Sequence, residues 1–196
     1  QKACEVAGKE PIFRILPYQK KKAGIITTGS EVYYHRIEDK FTPVVIEKLK
    51  ECGVTEVKQI QCNDDHEMIT EAIQTLIEDG FDLIVCTGGM SVDPDDRTPL
   101  AIKNACTKVV TYGAPVLPGA MFMLAYCEKE GRQIPVMGLP GCVMYAKRTI
   151  FDLVLPRIMC DEKMHEKDFQ LLGQGGLCLS CPVCTFPNCG FGKGGY

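Results

Sequence analysis

The sequence lacks the features that mark several classes of protein. It has no basic excess, because 22 lysines and arginines face 25 aspartates and glutamates. A protein that neutralises nucleic-acid phosphates needs such an excess, so we expect no nucleic-acid partner. The most apolar stretch, 114–127, contains two prolines and is shorter than the ~20 residues of a membrane span, so we expect no membrane partner either. The three histidines are scattered along the chain, and we interpret them as surface or structural residues.

Two common phosphate-binding fingerprints are also missing, since neither a GxGxxG loop nor a Walker A loop occurs. What the sequence does have is 196 residues with 45% hydrophobic content, which suits one full domain and an appendage. Its twelve cysteines would suit a secreted disulfide scaffold. They stand instead in apolar runs, near helix ends and in a separate terminal cluster. We therefore expect reduced thiols and a cytoplasmic protein.

The chain is expected to have three parts. It begins on Gln1 without a secretory signal pattern, and we interpret it as the C-terminal piece of a longer protein. Residues 1–20 are predicted to be a connector from a missing N-terminal region. Residues 21–160 are predicted to form the domain, and residues 161–196, rich in glycine and cysteine, a tail outside the core.

Strands and helices alternate within the predicted domain. Such alternation implies right-handed crossovers, and we predict a three-layer α/β/α fold with a mostly parallel sheet, plus the Cys/Gly-rich C-terminal tail. Apolar periodicity and glycine stops set the boundaries. The predicted strands are 23–27, 57–62, 81–86, 108–112, 114–117 and 134–137, and the predicted helices are 39–52, 65–79, one beginning near 98, and 142–155.

Three glycine-bearing loops follow strands in this prediction. They are Thr28-Gly29-Ser30-Glu31, Gly88-Gly89-Met90-Ser91 and Leu139-Pro140-Gly141. Ligands of open parallel sheets bind at the carboxyl ends of the strands, where helix N-termini attract anions and glycine lets the backbone approach closely. Together these loops predict an anion site. For any single loop, the alternative is that glycines only make turns and aspartates only cap helices.

The wording of these loops resembles the molybdopterin-binding domain that molybdopterin molybdotransferases and molybdopterin adenylyltransferases share. The resemblance covers about 23–158. The family's T-G-D-E-L loop is met by Thr28-Gly29-Ser30-Glu31-Val32, and its next helix opens with an aspartate, as at Asp39. Its G-G-x-S-V wording is met by Gly88-Gly89-Met90-Ser91-Val92. The family spacing from the second glycine places an aspartate at Asp96 and a threonine at Thr98.

Three positions depart from the family pattern. Ser30 replaces the aspartate of the first loop. The P-G-K-P loop becomes Pro118-Gly119-Ala120-Met121, so a lysine that would act as a point charge for phosphate is missing. The L-P-G-N-P loop becomes Leu139-Pro140-Gly141-Cys142-Val143, in which a thiol replaces an amide.

The resemblance implies a role in molybdenum cofactor biosynthesis. Its first form is Mg²⁺-dependent insertion of molybdate into molybdopterin or adenylylated molybdopterin. The adenylyltransferase step is an alternative, favoured by the Asp96-Arg97-Thr98-Pro99 wording, and a non-catalytic molybdopterin carrier or sensor is another. Molybdopterin, recipient molybdoenzymes and a second copy of the chain are the expected partners.

The same resemblance assigns the site residues. Glu31, Asp39 and Asp96 are the catalytic candidates, and Asp39 and Asp96 are expected to hold Mg²⁺, with a helix cap as the alternative role of Asp39. The candidates for molybdopterin binding are Thr28, Gly29, Ser30, Gly88, Gly89, Ser91, Thr98, Pro118, Gly119, Pro140 and Gly141.

The end of the chain carries a separate cysteine motif. Cys178, Cys181, Cys184 and Cys189 have the spacing C-x₂-C-x₂-C-x₄-C, and its first two intervals match iron–sulfur ligand runs better than zinc knuckles. We predict an iron–sulfur cluster or zinc on these four cysteines, with a flexible thiol-rich tail as the alternative.

Overall fold

The computed structural model describes residues 2–8, 13–91, 93 and 95–194, and within these ranges six strands form one sheet. The order across the sheet is β2-β1-β3-β6-β5-β4, and β5 runs in the direction opposite to that of the other five strands. The strands are β1 (Lys22–Thr28), β2 (Glu56–Cys62), β3 (Leu83–Thr87), β4 (Lys108–Tyr112), β5 (Met123–Lys129) and β6 (Arg132–Leu139).

Helices cover both faces of this sheet. Side chains alternate along each strand, so that Ile25 and Ile26 on β1 belong to different core clusters. The helices are α1 (Lys2–Ala7), α2 (Ser30–Tyr33), α3 (Phe41–Glu51), α4 (His66–Glu78), α5 (Thr98–Ala105), α6 (Ile150–Met159) and α7 (Glu166–Leu171), with 3₁₀ turns at Gly141–Met144 and Leu172–Gly175. The Ile25 cluster packs against α3, α6 and α7, and the Ile26 cluster packs against α4 and α5. The predicted three-layer α/β/α class is confirmed.

The strand order reverses between β1 and β3. From β1 the chain crosses to β2 on one side and then returns past β1 to β3 on the other. The loops that leave β1 and β3 therefore diverge at this point and open a crevice at the carboxyl ends of the two strands. That crevice is the position where doubly wound sheets bind their ligands.

Near the antiparallel edge one predicted strand is wrong and one strand was not predicted. The segment 114–117 makes no ladder, apart from a single bridge between Leu117 and Leu177, because proline cannot donate to a sheet. A strand that the sequence analysis did not predict, β5, lies just beyond it. β5 pairs with β6 through a tight turn in which Glu130 and Gly131 both have positive φ, the conformation that suits a two-residue hairpin.

The helix predicted at 142–155 is also wrong in its boundaries. A 3₁₀ turn covers Gly141–Met144, and α6 starts only at Ile150. The restart has a local cause, because Thr149 and Asp152 form a capping box. The Asp152 carboxylate accepts from the backbone N–H of Thr149, and the Thr149 hydroxyl accepts from the backbone N–H of Phe151. Pro156 consequently lies inside α6 instead of at its end.

The residues after Asp161 were expected to lie outside the core, and this is wrong for three of them. Met164, Phe169 and Phe191 are buried in the Ile25 cluster. The rings of Phe169 and Phe122 are stacked with their centroids 6.0 Å apart. These three residues after Asp161 thus pack onto the domain. The predicted boundaries of the three parts of the chain stay a prediction.

The cysteines also differ in one respect from the expectation of reduced thiols. Cys106, just after α5, and Cys127 on β5 form a disulfide. Nine further cysteines are free in the part of the chain whose side chains are described. Among the helices of the described ranges, none has the length and apolar content needed to cross a membrane.

Candidate functional site

A cavity of about 780 Å³ opens at the carboxyl ends of β1 and β3. We call it the switch-point cavity, because it lies where the strand order reverses. Two of the predicted loops contribute Thr28 and Gly88 to its wall, and the segment before α3 contributes Asp39 and Lys40. Tyr145, which follows the 3₁₀ turn after β6, lines it from the opposite side.

The double glycine is held tightly against β1 and α5. Gly88 and Gly89 both have positive φ, at 89° and 53°. A Cβ at Gly88 would stand 2.3 Å from the backbone oxygen of Thr28, and one at Gly89 would stand 2.8 Å from Oγ1 of Thr98. The Thr28 hydroxyl bonds the Thr98 hydroxyl at 3.1 Å and donates to the carbonyl of Thr87. The structure thus brings the four candidates Thr28, Gly88, Gly89 and Thr98 together, and only glycine suits the two central positions.

Asp39 is surrounded by hydrogen-bond donors. Its Oδ1 accepts from the backbone N–H groups of Phe41 and Thr42, both at 3.0 Å, which caps the start of α3. Its Oδ2 accepts from Nε2 of Gln59 at 2.7 Å and from the hydroxyl of Thr27 at 3.3 Å. Burial by itself raises the pKa of Asp39, but the hydrogen bonds from Thr42, Gln59 and Phe41 outweigh it, so the pKa lies below its ordinary value.

Asp96 lies outside the wall of the switch-point cavity, in the loop that leads from Gly89 to α5. One of its carboxylate oxygens accepts from the backbone N–H of Ser91, so these two predicted site residues are in contact. The phenol of Tyr112 donates to the Ser91 carbonyl at 3.4 Å. Burial raises the pKa of that phenol, and the nearby charge of Asp96 raises it further. No described residue donates to the other carboxylate oxygen of Asp96.

The first loop is fixed by a residue that the sequence analysis did not select. The backbone N–H of Ser30 donates to Asp64 at 2.8 Å. Glu31 stands on α2 with an exposed side chain and does not line the switch-point cavity. Gly29 precedes α2 with a φ of 130° and open space beside it.

The residues present fit the predicted magnesium pair only in part. Among the residues that the structure describes, no three His, Cys, Asp or Glu side chains converge as ligands. Asp39 already accepts four hydrogen bonds, which is about the capacity of a carboxylate, so it does not fit as a metal ligand in this arrangement. Asp96 keeps one oxygen unengaged by described residues and fits as a single carboxylate ligand.

The remaining predicted loops lie apart from the switch-point cavity. Pro118, Gly119 and Pro140 line another cavity, of about 440 Å³, together with Leu177 and Cys178 from the C-terminal segment. A Cβ at Gly119 would stand 2.4 Å from the side chain of Ile150. Gly141, which is followed closely by the lining residue Tyr145, begins the 3₁₀ turn.

Sequence reasoning missed Gln59, Asp64, Lys40 and Tyr145 in this region. Gln59 sits on β2 and its amide bonds Asp39 and the hydroxyls of Thr27 and Thr42. A polar residue facing out of a strand next to β1 was the one available signal for Gln59. The sequence carries no signal for Tyr145, because the position of this residue depends on the break between the 3₁₀ turn and α6.

Comparison with known proteins decides the family. Residues 24–159 match the family described as "Probable molybdopterin binding domain", and this range includes both sides of the switch-point cavity. The chain belongs to this family. The resemblance drawn from the loop motifs is thereby confirmed at the level of the domain.

Solved structures show the same fold. The tungsten cofactor synthesizing protein MoaB from Pyrococcus furiosus superposes with a TM-score of 0.54 at 21% identity, over 73% of this chain and 89% of that one. The protein CinA with unknown function from Thermoplasma acidophilum gives 0.56 at 18% identity, over 71% of this chain and 98% of that one. At such identities the likeness shows the architecture alone.

Among curated proteins, the relatives are longer. A CinA-like protein from Mycobacterium avium (strain 104) is 33% identical over 95 residues, which are 48% of this chain and 22% of that protein. The chain thus spans about a fifth of the length of the curated relatives it matches.

Proposed function

We propose that this domain binds molybdopterin in the switch-point cavity and acts in molybdenum cofactor biosynthesis. The observation that carries the proposal is the cavity of about 780 Å³ at the reversal of strand order, with the Gly88-Gly89 loop on its wall. Molybdopterin is a pterin with a dithiolene and one terminal phosphate. A glycine loop whose backbone a ligand can approach, beside the cation of Lys40, suits that phosphate.

The other walls suit the rest of the ligand. Tyr145 presents an exposed phenol ring that a flat pterin can stack on, and Ile37 and Met144 add apolar surface. The side chain of Glu38 lines the same cavity and supplies a carboxylate for the amino edge of the pterin. Lys40 and Glu38 thus place opposite charges on one cavity, as a ligand with an anionic end and a hydrogen-bond-donating end requires.

The finer proposal is insertion of molybdate, as in molybdotransferases. Here Asp96 is the carboxylate with one oxygen that no described residue engages, and Asp39 shapes the cavity by capping α3. Mg²⁺ at Asp96 would offset the negative charge of the substrate phosphate. Glu31, which is exposed outside the cavity, keeps its catalytic role only as a prediction, as do a second copy of the chain and recipient molybdoenzymes as partners.

The carrier alternative has one observation in its favour. The Pro118-Gly119 loop, which lacks the family's lysine, is paired with the C-terminal segment, because the N–H of Leu117 donates to the Gly176 carbonyl at 2.5 Å. The N–H of Cys178 donates back to the Leu117 carbonyl at 2.8 Å. A loop held in this way has fewer backbone groups available for a second substrate, which favours binding without turnover.

The test is an anaerobic titration with molybdopterin, followed by turnover with molybdate, ATP and Mg²⁺. Molybdate insertion supports the finer proposal, AMP transfer supports the adenylyltransferase, and tight binding without product supports the carrier. Lys40→Ala should weaken binding about fivefold, the effect of losing roughly 1 kcal/mol at an exposed cation, whereas Lys103→Ala on α5 should not. Absence of saturable molybdopterin binding would contradict all three assignments.

A further inference from the structure

A further cavity lies at the C-terminal segment, outside the proposed molybdopterin site. Its volume is about 420 Å³, and all four cysteines of the C-x₂-C-x₂-C-x₄-C motif line it. Each of these thiols is free. Cys178 and Cys189 are half-buried, and Cys181 and Cys184 are exposed. We call this the thiol cavity, and the segment 177–191 that carries it the thiol loop.

Both ends of the thiol loop are anchored to the domain. At one end, Leu177 bridges to Leu117, beside the hydrogen bond from Cys178. At the other end, Phe191 is buried in the core, and the N–H of Gly192 donates to the Gly175 carbonyl at 2.7 Å. Because the two anchors are fixed, the four cysteines are confined to one short stretch over the same surface.

Between its anchors, the loop has little to hold it. The single backbone hydrogen bond described within 179–188 runs from Asn188 to the Thr185 carbonyl. Leu179 and Val183 are each 77% exposed, so they supply no core. Ordering a segment of this length costs chain entropy that hydrogen bonds and apolar burial normally offset. Between 179 and 185 neither of them does so, and Phe186 is half-buried against the core.

Arg148 and Phe186 form one wall of the thiol cavity. Arg148 lines the cavity and lies over the ring of Phe186, with its guanidinium carbon 5.1 Å from the ring centroid. Ion pairs with Asp152 at 2.8 Å and Glu51 at 3.0 Å hold the Arg148 side chain in place. The Arg148 side chain therefore gives the thiol cavity a wall of fixed position.

We propose that Cys178, Cys181, Cys184 and Cys189 bind one metal centre through four thiolates. In the described residues the thiols do not stand at ligand spacing, so binding must draw them together. The half-buried Cys178 and Cys189 pack against the core and give fixed corners, while Cys181 and Cys184 lie in the part of the loop without restraining hydrogen bonds. Metal binding would supply the missing free energy of ordering.

The proposed centre lies beside the switch-point cavity without forming part of it. Tyr145 lines both cavities, and Leu177 and Cys178 also line the one that contains Pro118 and Pro140. The spacing of the first three cysteines is that of iron–sulfur ligand runs, so a cluster with four cysteine ligands is the expected form. Zinc in a four-cysteine site is the other form that the same ligands support.

The full chain, purified without oxygen, tests the proposal by its metal and acid-labile sulfide content. We expect about two to four irons with matching sulfide and visible absorption, or about one zinc, per chain. Cys181→Ser and Cys184→Ser should each lower the bound metal at least about fivefold, because a four-ligand centre loses a corner. Cys160→Ser, outside the thiol loop, is the control and should keep the metal.

Both test variants alter exposed thiols, so circular dichroism should show an unchanged fold. Less than about 0.2 metal per chain, after anaerobic purification and after incubation with zinc or with iron and sulfide, would overturn the proposal. Equal metal content in the Cys181→Ser variant and the wild type would overturn it as well. Neither readout depends on molybdopterin, so failure here is distinct from failure of the proposed function.

Discussion

Replacing Asp39 separates its role as a helix cap from its expected role as a metal ligand. In Asp39→Ala, the first turn of α3 loses the acceptor of two backbone N–H groups, and Gln59 loses its charged partner. A lost cap costs about 1 kcal/mol, and a lost hydrogen bond to a charged group about 1.5–3 kcal/mol. We therefore expect the free energy of unfolding to fall by about 2–4 kcal/mol in Asp39→Ala.

Asp39→Asn is the more informative change. Its amide oxygen can still accept from Phe41 and Thr42, while its amide group must face the amide of Gln59, which can turn over because its other contacts are hydroxyls. We expect a loss of only about 1 kcal/mol, since the cap is kept. Molybdopterin binding and Mg²⁺ dependence should then remain close to those of the wild type.

The acid limb of the stability curve checks the charge of Asp39. The folded chain holds its pKa below the ordinary 3.8, so protonation favours the unfolded chain. The stabilisation by the carboxylate is therefore fully present above the ordinary pKa and is lost as pH falls through the lowered folded value. Urea unfolding between pH 7 and 3 should show the difference between wild type and Asp39→Asn shrinking toward the acid end.

Two outcomes would refute this reasoning about Asp39. One is that Asp39→Ala unfolds at the same urea concentration as the wild type, which would mean that the four hydrogen bonds contribute nothing. The other is that Asp39→Asn keeps its stability and its molybdopterin affinity but loses Mg²⁺-dependent turnover. That result would restore Asp39 as a metal ligand and reject the assignment of its carboxylate to α3.

Three further predictions concern other parts of the molecule. Asp96→Asn should abolish molybdate insertion and leave the urea midpoint unchanged. Asp95→Asn should leave both the insertion rate and the urea midpoint unchanged, and wild-type rates in Asp96→Asn would remove Asp96 from the site. Gly88→Ala should weaken molybdopterin binding at least about tenfold, since its Cβ would lie 2.3 Å from a backbone oxygen. Gly131→Ala is the control: it has a similar φ with open space around it, so it should cost only the ~1–2 kcal/mol of backbone strain and leave binding unchanged. Phe169→Ala should lower the free energy of unfolding by about 3–5 kcal/mol, and a loss under about 1 kcal/mol in urea titration would return the C-terminal segment to the status of a tail.

The sequence was sufficient for the elements whose signals are local. Apolar runs and glycine stops predicted β1, β2, β3 and β4 to within a few residues. β1 and β3 are buried parallel strands, which leave a nearly continuous apolar stretch in the sequence. The cap of α4 by Asp65 is also a local event, and α4 lies within the predicted helix 65–79. The family spacing of Gly88, Gly89 and Thr98 was also readable locally, whereas the close approach of Gly89 to Thr98 was seen only in the structure.

Tertiary structure decided the features that depend on contacts between distant segments. The sequence left two roles open for Asp39, a helix cap or a metal ligand. Gln59, twenty residues further along the chain, donates a hydrogen bond to its second carboxylate oxygen, so that this oxygen is already engaged. The place of Phe169 depends on its stacking with the ring of Phe122, a contact that no local pattern in the sequence indicates. The hydrophobic effect is non-directional and acts between residues at any separation in the sequence. Which apolar side chains of the C-terminal segment become buried is therefore determined only once the sheet and its helices are assembled.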